Sequence, residues 1–411
     1  MDQTNQTLWS KAEKIAFRAF ALYMIFYVLF ISEYSSLFHL NLNFISAGLT
    51  SGINKLFIHK EFDGFIPTTD YYWAFMASLI FLVLAIIISL VWTLFEGRRS
   101  FPVFTKCAYV VARYYLAFEL LSYGVSKLDG IQFSILPTRL LQPVGSTDSF
   151  NLYWMSMGVS KSYSFFAGLL ETMAGILLLF RRTATLGCII AIPVLLNVLM
   201  INIAYDIWVK LIVFHLLCFG IFILMPDIKR LFKFIIQKQT TSLSLTLPPL
   251  IENKNLRWLQ YTFKFLLIAY TVFGIIKYEL ENLDRIHNSP FQNLVGIFEV
   301  KEFTLNKSNN SNFSDWKKLA FNQFNYLQVL LKNDSVSGYV FEPDLANRII
   351  SLKSLSDTTI KVKLHYTETK SNEWLFYGTC KSDSIRFSAS KIDMYSLPLF
   401  KDRGKIKWTY D

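Results

Sequence analysis

The chain has 411 residues, of which 53% are hydrophobic, 17% aromatic and 17% charged, with a mean hydropathy of +0.35 and a formal net charge of +11. Soluble domains carry about 25% charged residues, so this composition excludes an ordinary soluble globular protein. In a membrane protein an excess of Lys and Arg reports first on loop topology, so the charge alone is no sign of nucleic acid.

In chain order, a polar dozen with no small-residue cleavage site after the first apolar run predicts a retained helix instead of a removed signal. Seven apolar segments follow: about Lys14 to Ile31, Tyr72 to Phe95, Thr105 to Lys127, Ser162 to Phe180, Ala184 to Ala204, Ile207 to Met225 and Thr262 to Tyr278. Each is close to the roughly 20 residues that a helix needs to cross the hydrocarbon. An N-terminus on the cytoplasmic side puts 15 basic residues there: Lys11, Lys14, Arg18, Arg98, Arg99, Lys106, Arg181, Arg182, Lys229, Arg230, Lys233, Lys238, Lys254, Arg257 and Lys264. The opposite loops hold five: Lys55, Lys60, Lys127, Arg139 and Lys161. This bias sets the N-terminus inside and the C-terminal region outside the cell (inner) membrane.

From about Pro290 onward, apolar and polar residues alternate, as in Thr359-Ile360-Lys361-Val362-Lys363-Leu364-His365-Tyr366, Glu373-Trp374-Leu375-Phe376-Tyr377 and Ser384-Ile385-Arg386-Phe387-Ser388. Period two means half-buried strands. Breakers at Asn333-Asp334, Ser337-Gly338, Glu342-Pro343-Asp344 and Lys370-Ser371-Asn372 divide the runs into about six to nine strands of an antiparallel meander. The stretch Asn306 to Ser314 reads as a loop. The fold class is therefore an α-helical polytopic membrane bundle of about seven spans plus a C-terminal all-β small barrel or sandwich domain. By boundaries, 1–104 holds N-terminal membrane helices and an external loop, 105–231 a four-helix core, 232–261 a cytoplasmic linker, 262–280 the seventh span and 290–411 the β-domain.

The four cysteines, Cys107, Cys188, Cys218 and Cys380, form no Cys-x-x-Cys pair, which argues against a zinc site or thiol-exchange centre. The informative groups are the polar ones inside spans, where charge is costly and calls for a partner or a role. Segment three carries Arg113, Glu119, Tyr123 and Lys127, segment four Glu171, segment five Asn197 and Asn202, and segment six Lys210 and His215, just after Asp206. Glu119, Tyr123 and Lys127 are spaced by four and share a face. These groups converge on the outer half of the bundle. They either line a polar pocket open to the outside or form ion pairs and hydrogen bonds that fix helix packing. His215 is the only histidine within a span and reads as a hydrogen-bonded core residue. Arg113 is expected to snorkel to a cytoplasmic-side carbonyl or head group.

The run Tyr123-Gly124-x-x-Lys127-Leu128 with Gln132-Phe133, followed by Gly158-x-Ser160-x-x-Tyr163-x-x-Phe166-x-Gly168-x-x-Glu171, resembles the DoxX family of membrane proteins. Gly175 to Leu179, Arg181-Arg182-Thr183, Leu186-Gly187, Asn197-Val198 and Asn202-x-x-Tyr205-Asp206-x-x-Val209-Lys210 continue it, so that it covers about Arg113 to Leu231. The C-terminal strands are similar to the β-domain of a larger DoxX-like subgroup. The resemblance implies a DoxX-like four-helix core in segments three to six. It also implies links to quinone-connected oxidation of sulfur compounds and to oxidative-stress complexes, and a remoter similarity to the membrane part of vitamin K-dependent carboxylases.

No cofactor motif is evident, while the resemblance leaves room for a quinone. The first functional expectation is an accessory or scaffold subunit binding a lipid, quinone or envelope protein through the outward-facing pocket. An enzyme acting on a lipid-soluble substrate, with Glu119 or Glu171 as general base, is the alternative. A transporter ranks lower, since no repeated half appears and Pro193 is the one interruption within the spans. From Arg285 onward, 18 Lys and Arg stand against 13 Asp and Glu. Such a modest surplus on an external domain reads first as a solvated face, and otherwise suits anionic membrane lipids or glycans ahead of nucleic acid.

Overall fold

The computed structural model describes residues 10–32, 42–67, 69–96, 102–241, 256–306, 315–357, 360–370, 372–380 and 383–400. The basic residues Arg98, Arg99 and Lys254, the polar N-terminal residues before Ser10, and the expected loop after Asn306 lie outside them. The chain divides into two compact units, 1–128 with 167–276 and 129–166 with 277–411.

The first unit is helical. Its helices are α1 (Lys11–Phe30), α2 (Asn43–Ile53), α3 (Tyr72–Phe95) and α4 (Pro102–Leu128); α5 (Ser149–Val159) belongs to the second unit. Next come α6 (Lys161–Leu179), α7 (Ala184–Ala204), α8 (Lys210–Ile235) and α9 (Arg257–His287). All seven apolar segments are thus helical, and α2 and α5 add short helices within expected loops. Five of the helices among the described residues, α3, α6, α7, α8 and α9, are long and apolar enough to cross a membrane. The other two, α1 and α4, are 20 and 27 residues long but more polar. For α4 the cause is packing: Ala112, Tyr115, Leu116, Ala117, Phe118 and Leu120 are all buried, so its polar side chains meet protein.

Local signals explain the helix ends. Ser10 and Glu13 form a reciprocal capping box at the start of α1, satisfying backbone donors that a first helical turn leaves open. At the end of α7, Asp206 adopts a left-handed φ of 51° and Ile207 donates to the Asn202 carbonyl. This closes the last turn and moves the start of α8 to Lys210. The first backbone amides of α8 are capped from afar, Lys210 N and Leu211 N each donating to the Asp70 carboxylate at 2.8 Å.

The second unit is built on a closed antiparallel barrel with strands in sequential order: β1 (Gly296–Asn306), β2 (Trp316–Phe321), β3 (Tyr326–Leu331), β4 (Val336–Asp344), β5 (Ile349–Ser354), β6 (Lys361–Lys370), β7 (Glu373–Cys380) and β8 (Asp383–Ile392). Closure comes from β1, which pairs with both β2 and β8 and is bulged between Val300 and Glu302. The expected strand number and the barrel alternative are met. Phe298, Trp316, Phe321, Phe341, Phe376 and Phe387 fill the interior, each at most 1% exposed. Lys361, Lys363 and His365 of β6 face outward between buried Val362, Leu364 and Tyr366. Apolar inside and polar outside is the reverse of a membrane-spanning barrel.

Residues 129–166 are a working part of this second unit. Leu141, in a short helical turn over Pro137–Leu141, packs with Ile297 of β1 and Ala320 of β2. Within the segment, Trp154 donates to the Gln132 carbonyl at 2.8 Å, and Phe133 packs edge-on against Trp154. The Asn151 backbone amide and side chain hold the Asp148 carboxyl below the usual carboxylate range, which caps α5.

Candidate functional site

Within the helical unit, tyrosines spaced by one helical turn meet across α1 and α4. Tyr23 and Tyr27 lie on one face of α1, and Tyr115, Glu119 and Tyr123 on one face of α4. Tyr27, Tyr115, Glu119 and Tyr123 line a narrow cavity with Ile31 and Ser32 at the end of α1, Ala74 near the start of α3 and Leu211 and Ile212 at the start of α8. Its enclosed part is only about 10 Å3, room for one water molecule, and its mouth opens to solvent. Glu119 is buried, and the Tyr115 hydroxyl is in hydrogen-bond contact with it and with Tyr27. A buried carboxylate ringed by hydroxyls can accept a proton or a hydrogen bond from a small polar head.

His215 of α8 stands behind this wall. Its ring stacks on Tyr27 at 3.8 Å and 8°. Nδ1 lies 2.7 Å from the Leu211 carbonyl oxygen, which can only accept, so Nδ1 carries the hydrogen. Nε2 then accepts from the Tyr23 hydroxyl. Both nitrogens are used inside the protein, leaving neither for a metal or haem.

Lys127 and Glu171 form a separate pair. Lys127 Nζ donates to Glu171 Oε2 at 2.6 Å, with side chains only 8% and 4% exposed. It also reaches the Tyr123 carbonyl at 3.4 Å and lies 5.5 Å from the Tyr123 ring centre. The pair forms because α4 and α6 cross at glycines. A Cβ at Gly168 would come within 2.7 Å of the Gly124 carbonyl and 2.9 Å of Lys127 Cβ. A Cβ at Gly175 would meet the Ala117 carbonyl at 2.9 Å. Small residues let the two backbones approach, and the approach brings carboxylate and ammonium together.

The remaining candidates sit apart from the cavity. Lys210 bridges Asp206 at 2.8 Å and Asp70 at 3.6 Å in a half-exposed cluster. Asn202 is buried, and its side-chain Nδ2 has no hydrogen-bond partner among the described residues. Asn197 is exposed on α7 and joins none of these groups. Sequence reasoning passed over Tyr23, Tyr27, Tyr115 and Asp70. The four-residue spacing that links Glu119, Tyr123 and Lys127 extends back to Tyr115, and Tyr23 and Tyr27 repeat it on α1. Asp70 precedes its helix partner by 140 positions and carries no local signal.

No family model and no solved structure matches the chain. Over 115 residues it is 33% identical to the uncharacterized protein YwoB of Bacillus subtilis (strain 168), a match that spans 28% of this chain and 73% of that relative.

Proposed function

The chain belongs to the family of YwoB, and we propose that it is a DoxX-like integral membrane protein acting as an accessory or scaffold subunit. Its outward cavity would receive the polar head of a lipid or quinone, or a side chain of an envelope protein. One observation carries this reading: the buried Glu119 carboxylate faces a cleft shared with Tyr27, Tyr115 and Tyr123. The cleft is narrow, which favours a hydroxyl or carbonyl head over a sugar or phosphate. Lys127 and Glu171 satisfy each other and serve to fix α4 on α6.

The orientation belongs to the proposal. The cavity lies where α1 and α4 end and where α3 and α8 begin. With the N-terminus inside, this is the extracytoplasmic end of seven spans. The placement is supported by the 129–166 segment, a loop that follows α4 on that side and packs with the barrel. Loop and barrel must then share one side of the membrane, which the four spans between them, α6 to α9, provide.

Gentle purification of the full chain, followed by mass spectrometry of co-purifying lipids, quinones and proteins, tests the reading. Recovery of one molecular species in near-stoichiometric amount is expected. A stable protein that retains only bulk lipid in membrane proportions contradicts it. The Tyr115–Glu119 contact also favours a second reading, an enzyme with Glu119 as general base toward a lipid-soluble substrate. Turnover of the recovered species by the purified protein separates the two.

A further inference from the structure

Away from the cavity, α4, α9 and the turn between α6 and α7 bring three cations together. Arg113 precedes Glu119 by six residues, about 9 Å along α4, and is only 7% exposed. Arg181 is exposed in the turn, and Lys264 is half-buried on α9. Their charges act on one another, Arg181 on Arg113 and both on Lys264. None of the three forms an ion pair among the described residues.

Neutral groups account for part of their bonding. Lys264 Nζ donates to the carbonyl of Leu179, the last residue of α6, at 3.0 Å, and sits 5.1 Å from the Phe180 ring centre. The Arg113 guanidinium lies 4.9 Å from the Tyr114 ring centre. Its Nη1, however, is buried with no hydrogen-bond partner among the described residues. Arg18 of α1 shows how this chain surrounds another buried guanidinium. It donates to Thr93 at 3.1 Å, lies 4.9 Å from the Trp92 ring centre and feels the charge of Glu96. Arg113 has the Tyr114 hydroxyl as a hydrogen-bond partner and the Arg181 cation nearby, where Arg18 has a carboxylate.

A buried guanidinium among like charges is costly unless an anion joins it. We propose that Arg113, Arg181 and Lys264 hold a phosphate group, carried by an anionic phospholipid or present as free phosphate. A phosphate offers acceptors only, matching a site made of donors, and the guanidinium fork suits its oxygens. The surface beside Lys264 favours the lipid as the source. Tyr261, Phe263, Phe265 and Leu266 are all exposed on α9, giving acyl chains an apolar wall next to the charged site. The site depends neither on the cavity ligand nor on the orientation of the chain.

The test places the full-length protein in nanodiscs of phosphatidylcholine with a minority of phosphatidylglycerol and quantifies retained lipid by mass spectrometry. A second arm measures inorganic phosphate binding by equilibrium dialysis in detergent. Phosphatidylglycerol enriched over phosphatidylcholine is expected, with enrichment reduced about fivefold by Arg181→Ala and more by Arg113→Leu. Arg181 is exposed, so its variant keeps the test decisive where Arg113→Leu fails to fold. Saturable phosphate binding lost in these variants, without lipid enrichment, supports the site and assigns it to free phosphate. Equal retention of both lipids with no saturable phosphate binding overturns the proposal, as does enrichment or phosphate binding that Arg181→Ala leaves unchanged.

Discussion

Lys127 of α4 donates to Glu171 of α6 across 2.6 Å, in surroundings that leave both side chains almost without solvent. Charge separation there is offset by proximity, and removing one partner strands the other. Lys127→Met or Glu171→Gln alone should cost about 3–5 kcal/mol, whereas the paired change to Met at both positions should recover most of it. Thermal unfolding midpoints of the four proteins in one detergent check this. A double variant no more stable than either single one would show that the pair does more than neutralise itself.

The glycine crossing that sets this pair should be equally sensitive. A Cβ at Gly124 would overlap Thr172 Oγ1 and approach the Thr172 backbone nitrogen at 2.8 Å, which no side-chain rotation relieves. Gly124→Ala is expected to destabilise by about 1–3 kcal/mol. Gly48 of α2 has nothing within 4 Å of its Cβ position. Gly48→Ala should therefore be neutral or stabilising by up to about 1 kcal/mol, and the same unfolding measurement compares the two.

Much of this architecture was legible in the residues. The apolar segments marked the long helices, since little else gives uninterrupted runs of that length, and period-two alternation marked the barrel strands. Less legible was what polar spacing meant in three dimensions. Glu119 and Lys127 lie on one face of α4, yet one lines a cavity with tyrosines and the other is consumed by Glu171. That division depends on which helix packs opposite each turn, which spacing along one helix does not encode. Asn197 has the same composition signal as Asn202 but lies on the exposed side of α7. Asp70 caps a helix 140 residues away, a long-range contact with no local pattern.

In the barrel, burial and the nearby Cys380 thiol push the Tyr339 phenol up to about 12. A group raised on folding contributes stability that is whole below its unfolded value, about 10, and lost as pH rises through the folded one. Barrel stability, followed by near-ultraviolet circular dichroism during chemical unfolding, should decline between pH 10 and 12. Tyr339→Phe should flatten that decline, whereas an unchanged alkaline slope in the variant would assign the loss to other groups.

The assignment of separate roles to Glu119 and Glu171 is tested most directly by quantifying the co-purified ligand in Glu119→Gln beside the protein with Met at both positions 127 and 171. Glu119→Gln should remain folded and lose the ligand, and the paired variant should retain it. Retention by Glu119→Gln together with loss from a stable paired variant would place the binding site at Lys127 and Glu171 instead.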